Sequence, residues 1–298
     1  MPVEIRGFTD SDIPKVVALL NESRKGWHEF RPFTEQTVKS SIGEQEFKIV
    51  IAEKDGTFLG LAAYNNGHWG EELRWLAVIE TPNRKSIQDA LVTEAEKYVH
   101  DGRVFVTVDA ESPEIAEWRK RGYELEGGLY HMVASLDDIK PLPETPEGVI
   151  LRTLNPSEET DFIKLVNDGF GWERLQANAI QEWKADFPGF NEDWIQVADY
   201  HAKLVSTVVA KDDLNYNIYF KAKRGYLGPA TTLSEFRGKN LATALTQKAM
   251  NFLYEKGMNS VALHTHEQNV ASMALLKRLG FRVAHHWRFM WKNVPQRA

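Results

Sequence analysis

This chain says the same thing twice, and no other feature constrains its fold so strongly. VEIRGFTDSDIPKVVALLN, Val3 to Asn21, lies over VILRTLNPSEETDFIKLVN, Val149 to Asn167, without a gap. Arg6 meets Arg152, Ser11 meets Ser157 and Asn21 meets Asn167. Each stretch reads as a short strand, a cap-rich turn and an amphipathic helix. A second match follows in the same order: VDAESPEIAEWRKRGY, Val108 to Tyr123, lies over HEQNVASMALLKRLGF, His266 to Phe281. Two ordered matches argue for duplication. Between the copies, DDIKPLPETPEG (Asp137 to Gly148) carries three prolines and reads as a linker. The expected organisation is one copy over 1–138, a linker over 139–148 and a second copy over 149–298.

Each copy reads as mixed α/β. In the second, a strand near Val149–Thr153 precedes a helix from about Glu158 to Asp168, then an aromatic-rich stretch, GFGWERLQANAIQEWKADFPGF. WIQVADY and KLVSTVVA, joined at His201 and Ala202, read as a hairpin. A strand near Gly225–Leu233 leads into RGKNLA and a helix over about Leu241–Lys256, stopped by Gly257. The strand SVALHTH, a helix from Val270 to about Leu279 and a final strand pair near Phe281–Trp291 complete the copy.

RGKNLA, Arg237 to Ala242, is the stretch that points to a ligand. Small residues ahead of a helix let the chain approach an anion, and the first helical turn offers N–H groups without intrahelical partners. A phosphorylated cofactor is the expectation. The order of these parts resembles the GNAT superfamily of N-acetyltransferases, whose phosphate loop reads Arg or Gln, two residues, Gly, one residue, Gly or Ala. Arg237 and Ala242 fill the outer places; Asn240 stands where Gly is usual, and Asn tolerates left-handed backbone angles. Asn269, Ser272 and Leu279-Gly280-Phe281 fit a second signature of that family, an Asn ahead of the last helix and a Leu-Gly-Phe ending.

The resemblance implies an α/β (α+β) fold of two tandem GNAT-like domains. Each would be a mixed, mostly antiparallel sheet flanked by helices and splayed between strands 4 and 5. It also implies acetyl-CoA as cofactor. Backbone N–H groups of Arg237, Gly238, Lys239, Asn240, Leu241 and Ala242 would hold the pyrophosphate. Ala230, Thr231, Thr232 and Leu233 would pair with the pantetheine arm, with Asn269 and Ser272 on its other side. The implied activity is acetyl transfer by direct attack of a primary amine, on a small molecule or peptide. The first copy departs from the loop pattern: Arg84 replaces Gly238, Ser86 stands at Asn240, Gln88 replaces Ala242, and Glu111 stands at Asn269. That copy is expected not to bind CoA productively.

For the chemistry, a backbone N–H near Thr232 can act as an oxyanion donor. Many members of the family supply a Tyr acid seven residues after the Asn; here that place is Leu276, and Trp118 in the first copy. GYLGPATTL holds no carboxylate, so His264, His266 and Glu267 at the end of the fifth strand are the titratable candidates for a base. A polar strand end is the rival reading. His-x-His on a strand without a third ligand or an HExxH helix gives no metal site. Trp172, Trp183, Phe187, Phe190 and Trp194 either pack a helix on the sheet or line an acceptor pocket. Asp168, Glu173, Glu182 and Asp186 beside them either attract a cationic amine or form a solvated outer face.

Composition removes other classes. A net charge of −6 disfavours nucleic acid and anionic membrane as partners. No cysteine means no disulfide, thiolate site or Cys nucleophile. No apolar run approaches the roughly 18–20 residues of a membrane helix, and the acidic start MPVEIRGFTDSD lacks a signal-peptide core. A cytoplasmic protein, monomer or homodimer, is expected. The alternative to an enzyme is a non-catalytic acyl-CoA-binding or ligand-sensing protein of the same tandem fold, which the absent Tyr favours.

Overall fold

The computed structural model describes residues 2–43, 46–67 and 69–295. Packing divides the chain into two compact units. One is the chain up to Leu129 with the stretch from His286 onward; the other is Tyr130–His285.

The first unit contains β1 (Glu4–Gly7), α1 (Ile13–Ser23), α2 (Glu35–Ile42), β2 (Lys48–Lys54), β3 (Thr57–Gly67), β4 (Gly70–Val78), α3 (Arg84–Ala95), β5 (Arg103–Asp109) and α4 (Glu114–Lys120). Strand β6 (Glu124–Ser135) begins in it and ends in the second unit. The second unit continues with β7 (Val149–Thr153), α5 (Glu159–Phe170), α6 (Ala179–Asp186), β8 (Ile195–Tyr200), β9 (Lys203–Asp212), α7 (Leu214–Phe220), β10 (Arg224–Thr232), α8 (Leu241–Glu255), β11 (Ser260–His266) and α9 (Val270–Arg278). Strand β12 (Arg282–Asn293) starts there and finishes in the first.

Both sheets follow one plan. β1 to β4 run antiparallel, β4 meets β5 in parallel, and Trp287–Asn293 of β12 closes the sheet antiparallel to β5. β7 to β10 run antiparallel, β10 meets β11 in parallel, and β6 closes that sheet beside β11. The strand pair expected near Phe281–Trp291 is instead the single strand β12. RVAHHWRFMWKN has no turn residue before its end, so nothing breaks the extended run.

Matching residues do matching work in the two copies. Arg6 makes a fork to both Asp12 oxygens at 2.8 Å and reaches Glu53 at 2.8 and 3.0 Å. Arg152 does the same to Glu158 at 2.7 Å and to Asp199 at 2.7 and 3.2 Å. Charge-assisted forks of this kind tie the first strand, the helix start and the second strand together. The Arg6 guanidinium holds Asp12 down to about 2, and Arg152 likewise lowers Glu158. Asn21 clasps the backbone of Phe33 through both amide atoms; Asn167 clasps Leu175 the same way.

Candidate functional site

The sheet of the second unit opens where the sequence places its anion loop. β10 and β11 pair at Arg224/Ser260, Gly225/Val261 and Tyr226/Ala262. Beyond that point β10 shifts register against β9 between Leu227 and Ala230, and continues to Thr232 along β9 alone. Such a bulge re-aims the strand. Leu233 N–H is spent on Val205 O at 3.0 Å, and Thr231 O receives the Ser206 hydroxyl at 3.0 Å, so both residues face β9. Strand alternation then turns the N–H groups of Ala230 and Thr232 the other way, into the opening left by β11. Thr232 O lies on that side too and accepts from Arg237 Nε at 3.1 Å.

After β10 the chain makes a short helical turn and a bend. Gly238 (φ 74°) and Asn240 (φ 64°) are both left-handed, and Asn240 is the residue before α8. Asn240 tolerates this conformation, which answers its departure from Gly. Its side chain donates to Glu144 O at 3.2 Å rather than capping α8. Ala244 is the N–H that first finds an intrahelical acceptor, Asn240 O at 3.1 Å. The N–H groups of Leu241, Ala242 and Thr243 therefore have no acceptor within the helix, and carry the partial positive charge of its start. Gly238 is exposed, with open space where a side chain would project. Arg237 bridges Thr232 O and Gly169 O, both at 3.1 Å, so its guanidinium orders the bend against α5. Gly169 itself is needed there: a Cβ would overlap the Thr231 hydroxyl.

The remaining sequence candidates lie on β11 and the turn behind it. Asn269 Oδ1 caps α9 by accepting from Ser272 N–H at 3.1 Å, and Ser272 Oγ accepts from Thr265 at 3.2 Å. The amide nitrogen of Asn269 is thus the group it can turn to a ligand. Thr232 shares a hydroxyl bond of 2.7 Å with Ser206. His264 Nδ1 meets the Tyr226 hydroxyl at 2.9 Å, across the mouth of the opening. Its ring stacks on buried His131 at 4.9 Å. His266 shares its face two residues on, and Glu267 lies in the turn beyond β11. Lys239 sits over the Phe236 ring at 4.7 Å. Leu276, at the place of the expected Tyr, is a core residue with 3% exposure.

The aromatic cluster divides. Phe190 and Trp194 are buried in the core, Trp194 edge-on to Phe252 at 5.2 Å. Trp183 and Phe187 instead face Lys211, whose ammonium lies 3.8 and 5.3 Å from their ring centres. The acids near them favour the solvated-face reading: Asp168 pairs with Lys164 at 2.5 Å, Glu182 with Asn178 at 2.8 Å, and Glu173 and Asp186 are exposed. What reaches the sheet there is cationic. Arg174 stands over Phe170 at 4.7 Å and Trp172 at 5.6 Å. Burial, helped by the Arg174 charge, lowers Lys211 to about 8, and burial raises the Tyr226 phenol to about 12. Tyr226, Lys211, Arg174 and His131 were missed in the sequence; strand register brings them together, and no local motif marks it.

The first unit has the opening without the bend. β4 and β5 pair at Glu72/Phe105. The turn into α3 has an ordinary φ of −98° at Asn83, and Arg84 N–H is taken by Thr81 O at 3.0 Å. Arg84 pairs with Glu80, so a carboxylate stands at the helix start. Gln88 accepts from Arg121 at 3.3 Å. Glu111, opposite number of Asn269, is exposed.

A parallel pair that parts, with outward N–H groups on one edge and a bare helix start beyond it, defines the second unit as an acyltransferase domain. Residues 154–281 match the family described as Acetyltransferase (GNAT) family. The matched stretch lies wholly within the second unit. It is 26% identical over 265 residues to a mycothiol acetyltransferase of Nocardia farcinica, covering 85% of this chain and 86% of that one. It is similar in fold to a GCN5-related N-acetyltransferase from Sphaerobacter thermophilus, with TM-score 0.72, 19% identity, and coverage of 99% of this chain and 97% of that chain. A tandem GNAT protein from the clavulanic acid biosynthesis pathway covers both chains fully at TM-score 0.68 and 16% identity. Among the described residues no helix is long and apolar enough to cross a membrane.

Proposed function

We propose that the second unit binds acetyl-CoA and transfers its acetyl group to a primary amine of a small molecule or peptide by direct attack. The observation that carries this reading is the bend at Gly238 and Asn240, which leaves the start of α8 bare at the end of a parted strand pair. When bound, acetyl-CoA supplies an acetyl group activated as a thioester. The N–H groups of the Arg237–Ala242 bend would hold the diphosphate, and those of Ala230 and Thr232 would meet the pantetheine arm. Thr232 N–H would be the donor to the thioester carbonyl oxygen, where a preorganised hydrogen bond stabilises developing negative charge as CoA leaves as the thiolate. Asn269 reaches the arm from the α9 side. His264, hydrogen-bonded to Tyr226, is the group on the opening that takes the amine proton; His266 and Glu267 lie farther along the same strand end. The name of the Nocardia relative, mycothiol acetyltransferase, supports acetyl transfer. The duplicated copies, 1–138 and 149–298, and the connector 139–148 make a two-domain enzyme, and its acidic, cysteine-free composition supports a cytoplasmic setting.

A second reading, a non-catalytic acyl-CoA sensor, is favoured by one observation: Leu276 is buried where a proton-donating Tyr is expected. Calorimetric titration of acetyl-CoA and CoA release over a panel of amines, with Arg237→Glu and Ala242→Arg as controls, tests both. Binding and turnover, each lost in the controls, support the enzyme. Saturable binding without turnover on any amine supports the sensor. No binding by the unaltered chain removes both.

A further inference from the structure

The first unit holds a cavity of about 420 Å³ in the groove of α3 and α4, beside the end of β12. Sites for small molecules run to roughly 300–1,000 Å³. Lys85 and Asp89 line it from α3, Glu117, Lys120 and Arg121 from α4 and its end, and Lys292 from the part of β12 that folds with this unit. Cations outnumber acids on these walls. Lys85 and Lys120 both donate to one oxygen, Glu117 Oε1, at 3.0 Å. Two ammoniums within about 6 Å of each other repel, and a single carboxylate offsets only one of them. Each ammonium has three donors, and among the described residues each spends one, on Glu117. Arg121 is held more firmly, its side chain 9% exposed. Its Nε donates to Asp89 at 2.7 Å, its Nη2 to Gln88 at 3.3 Å, and the guanidinium lies 5.0 Å from the centre of the Trp118 ring. Its Nη1 has no acceptor among the described residues. Lys292, by contrast, is satisfied by both oxygens of Glu96, at 2.7 and 2.8 Å.

The second unit shows that the fold does not need these charges. By the helix matches given above, Asp89, Glu117 and Arg121 have Thr243, Leu275 and Leu279 as opposite numbers. Leu275 and Leu279 pack against the apolar core, so apolar contact is enough to seat the last helix. Exposed ion pairs are a weaker fastening. The first unit nonetheless carries three cations with spare donors around a groove of ligand size. A phosphate monoester has three outer oxygens and close to two charges near neutral pH, and so can accept from three cations where a carboxylate has two oxygens. The cavity is larger than a bare phosphate, and its charged lining suits a hydroxylated body.

We propose that the groove of α3 and α4 in the first unit binds the phosphate monoester of a small polar molecule, its phosphate accepting from Lys85, Lys120 and Arg121. The ligand competes with Glu117 for the two lysines. This site is separate from the bend ahead of α8 and does not depend on acyl transfer. Calorimetry of the full-length chain tests it, at constant ionic strength, with ribose 5-phosphate, inorganic phosphate and ribose as probes, each with and without saturating acetyl-CoA.

Ribose 5-phosphate is expected to bind at one site, at least about 10-fold more tightly than inorganic phosphate, with ribose showing no saturable binding. Lys85→Met and Lys120→Met each leave Glu117 its other lysine, and each is expected to weaken ribose 5-phosphate about 5- to 10-fold. Glu117→Gln removes the competing carboxylate and is expected to tighten binding about 3-fold or more. A cluster that serves only to fasten α4 gives no such gain. Acetyl-CoA is expected to leave the affinity unchanged. Absence of saturable binding, inorganic phosphate or ribose binding as well as ribose 5-phosphate, or an affinity that both lysine variants spare overturns the proposal. Displacement of ribose 5-phosphate by acetyl-CoA overturns it too, because the groove is then a cofactor site. None of these results bears on the Arg237→Glu and Ala242→Arg controls, so failure here and failure of the acyl-transfer reading are told apart.

Discussion

The two bends after the fourth strands, Ile79 to Asn83 ahead of α3 and Leu233 to Asn240 ahead of α8, hold matching places in the two units and differ in what they leave open. In the first, Glu80 places a carboxylate at the helix start and Arg84 folds onto it. In the second, two left-handed residues swing the chain clear, and the helix start is bare. The scaffold around both survives intact, down to the Arg6 and Arg152 forks. Side chains at a handful of positions, not the fold, therefore separate a bare helix start from an occupied one.

Grafting the first bend onto the second should break the comparison most sharply. Gly238→Arg with Ala242→Gln puts a side chain where there is now open space and a strained φ where Gly now sits. Acetyl-CoA affinity, measured by calorimetry, is expected to fall at least about 100-fold, or about 2.7 kcal/mol. An affinity within a few-fold of the original would mean that the bend is not the anchor.

The forks sharpen it next. Arg152→Met leaves Glu158 and Asp199 without their shared cation, and Arg6→Met does the same to Asp12 and Glu53. Each is expected to destabilise by about 2 kcal/mol in denaturant unfolding, the scale of losing a charged hydrogen-bond partner. Asp12 is 2% exposed and held at about 2. Its lowered value means that its contribution is present above the ordinary carboxylate range and is lost as pH falls toward 2. If one variant unfolds readily and the other is neutral, the copies have diverged in their scaffold as well.

The openings differ in charge in an instructive way. Counting back from the bends, Glu72 of β4 is the counterpart of Tyr226, and Asn65, its partner on β3, the counterpart of Lys211. In the first unit Glu72 accepts from Thr107 at 2.8 Å and offsets the charges of Arg74 and Arg24. There a carboxylate stands where the second unit has the Tyr226 phenol. In the unaltered chain Lys211 should lose its charge as pH rises through about 8, a titration that NMR of its ammonium follows. Tyr226, at about 12, keeps its proton over that range. Lys211→Arg should remove that titration; a step that persists in it belongs to another group.

The sequence made much of this legible, for a physical reason. Hairpins, caps and Gly stops are local, so β8, β9, α8 and their limits could be read within a residue or two. The bend was legible as backbone because Gly238 and Asn240 are the residues that tolerate left-handed angles. The polar cluster at Tyr226 was not. Lys211 and Tyr226 meet by antiparallel register, and His131 reaches His264 from a strand more than a hundred residues earlier. β6 and β12 each begin in one unit and end in the other, which hydrophobic alternation cannot reveal. Nor could it show that the Pro-rich stretch docks on α8, where the Lys140 N–H donates to Asn251 Oδ1 at 3.1 Å and its carbonyl accepts from Asn251 Nδ2 at 2.8 Å.

The smallest effect tests the same divergence at a turn. β2 and β3 are joined by Asp55 (φ 50°) and Gly56 (φ 74°); β8 and β9 are joined by His201 (φ 52°) and Ala202 (φ 62°). Both are two-residue hairpin loops with two left-handed residues, a geometry that favours Asp-Gly. The first copy has that pair and the second does not, so Ala202 carries a cost of about 1–2 kcal/mol for its Cβ. Ala202→Gly removes it, but gives back part, about 0.4–1 kcal/mol, through the looser unfolded chain. A net gain of about 0.5–1 kcal/mol is expected, a rise of about 1–4 °C in thermal midpoint for a domain of this size. His201 should be kept, since its ring packs edge-on to Tyr200 at 4.3 Å. The reverse change, Gly56→Ala, should cost the first unit about as much. If Ala202→Gly instead destabilises, the second hairpin holds its turn by side-chain packing, and the two copies differ there in mechanism as well as in residues.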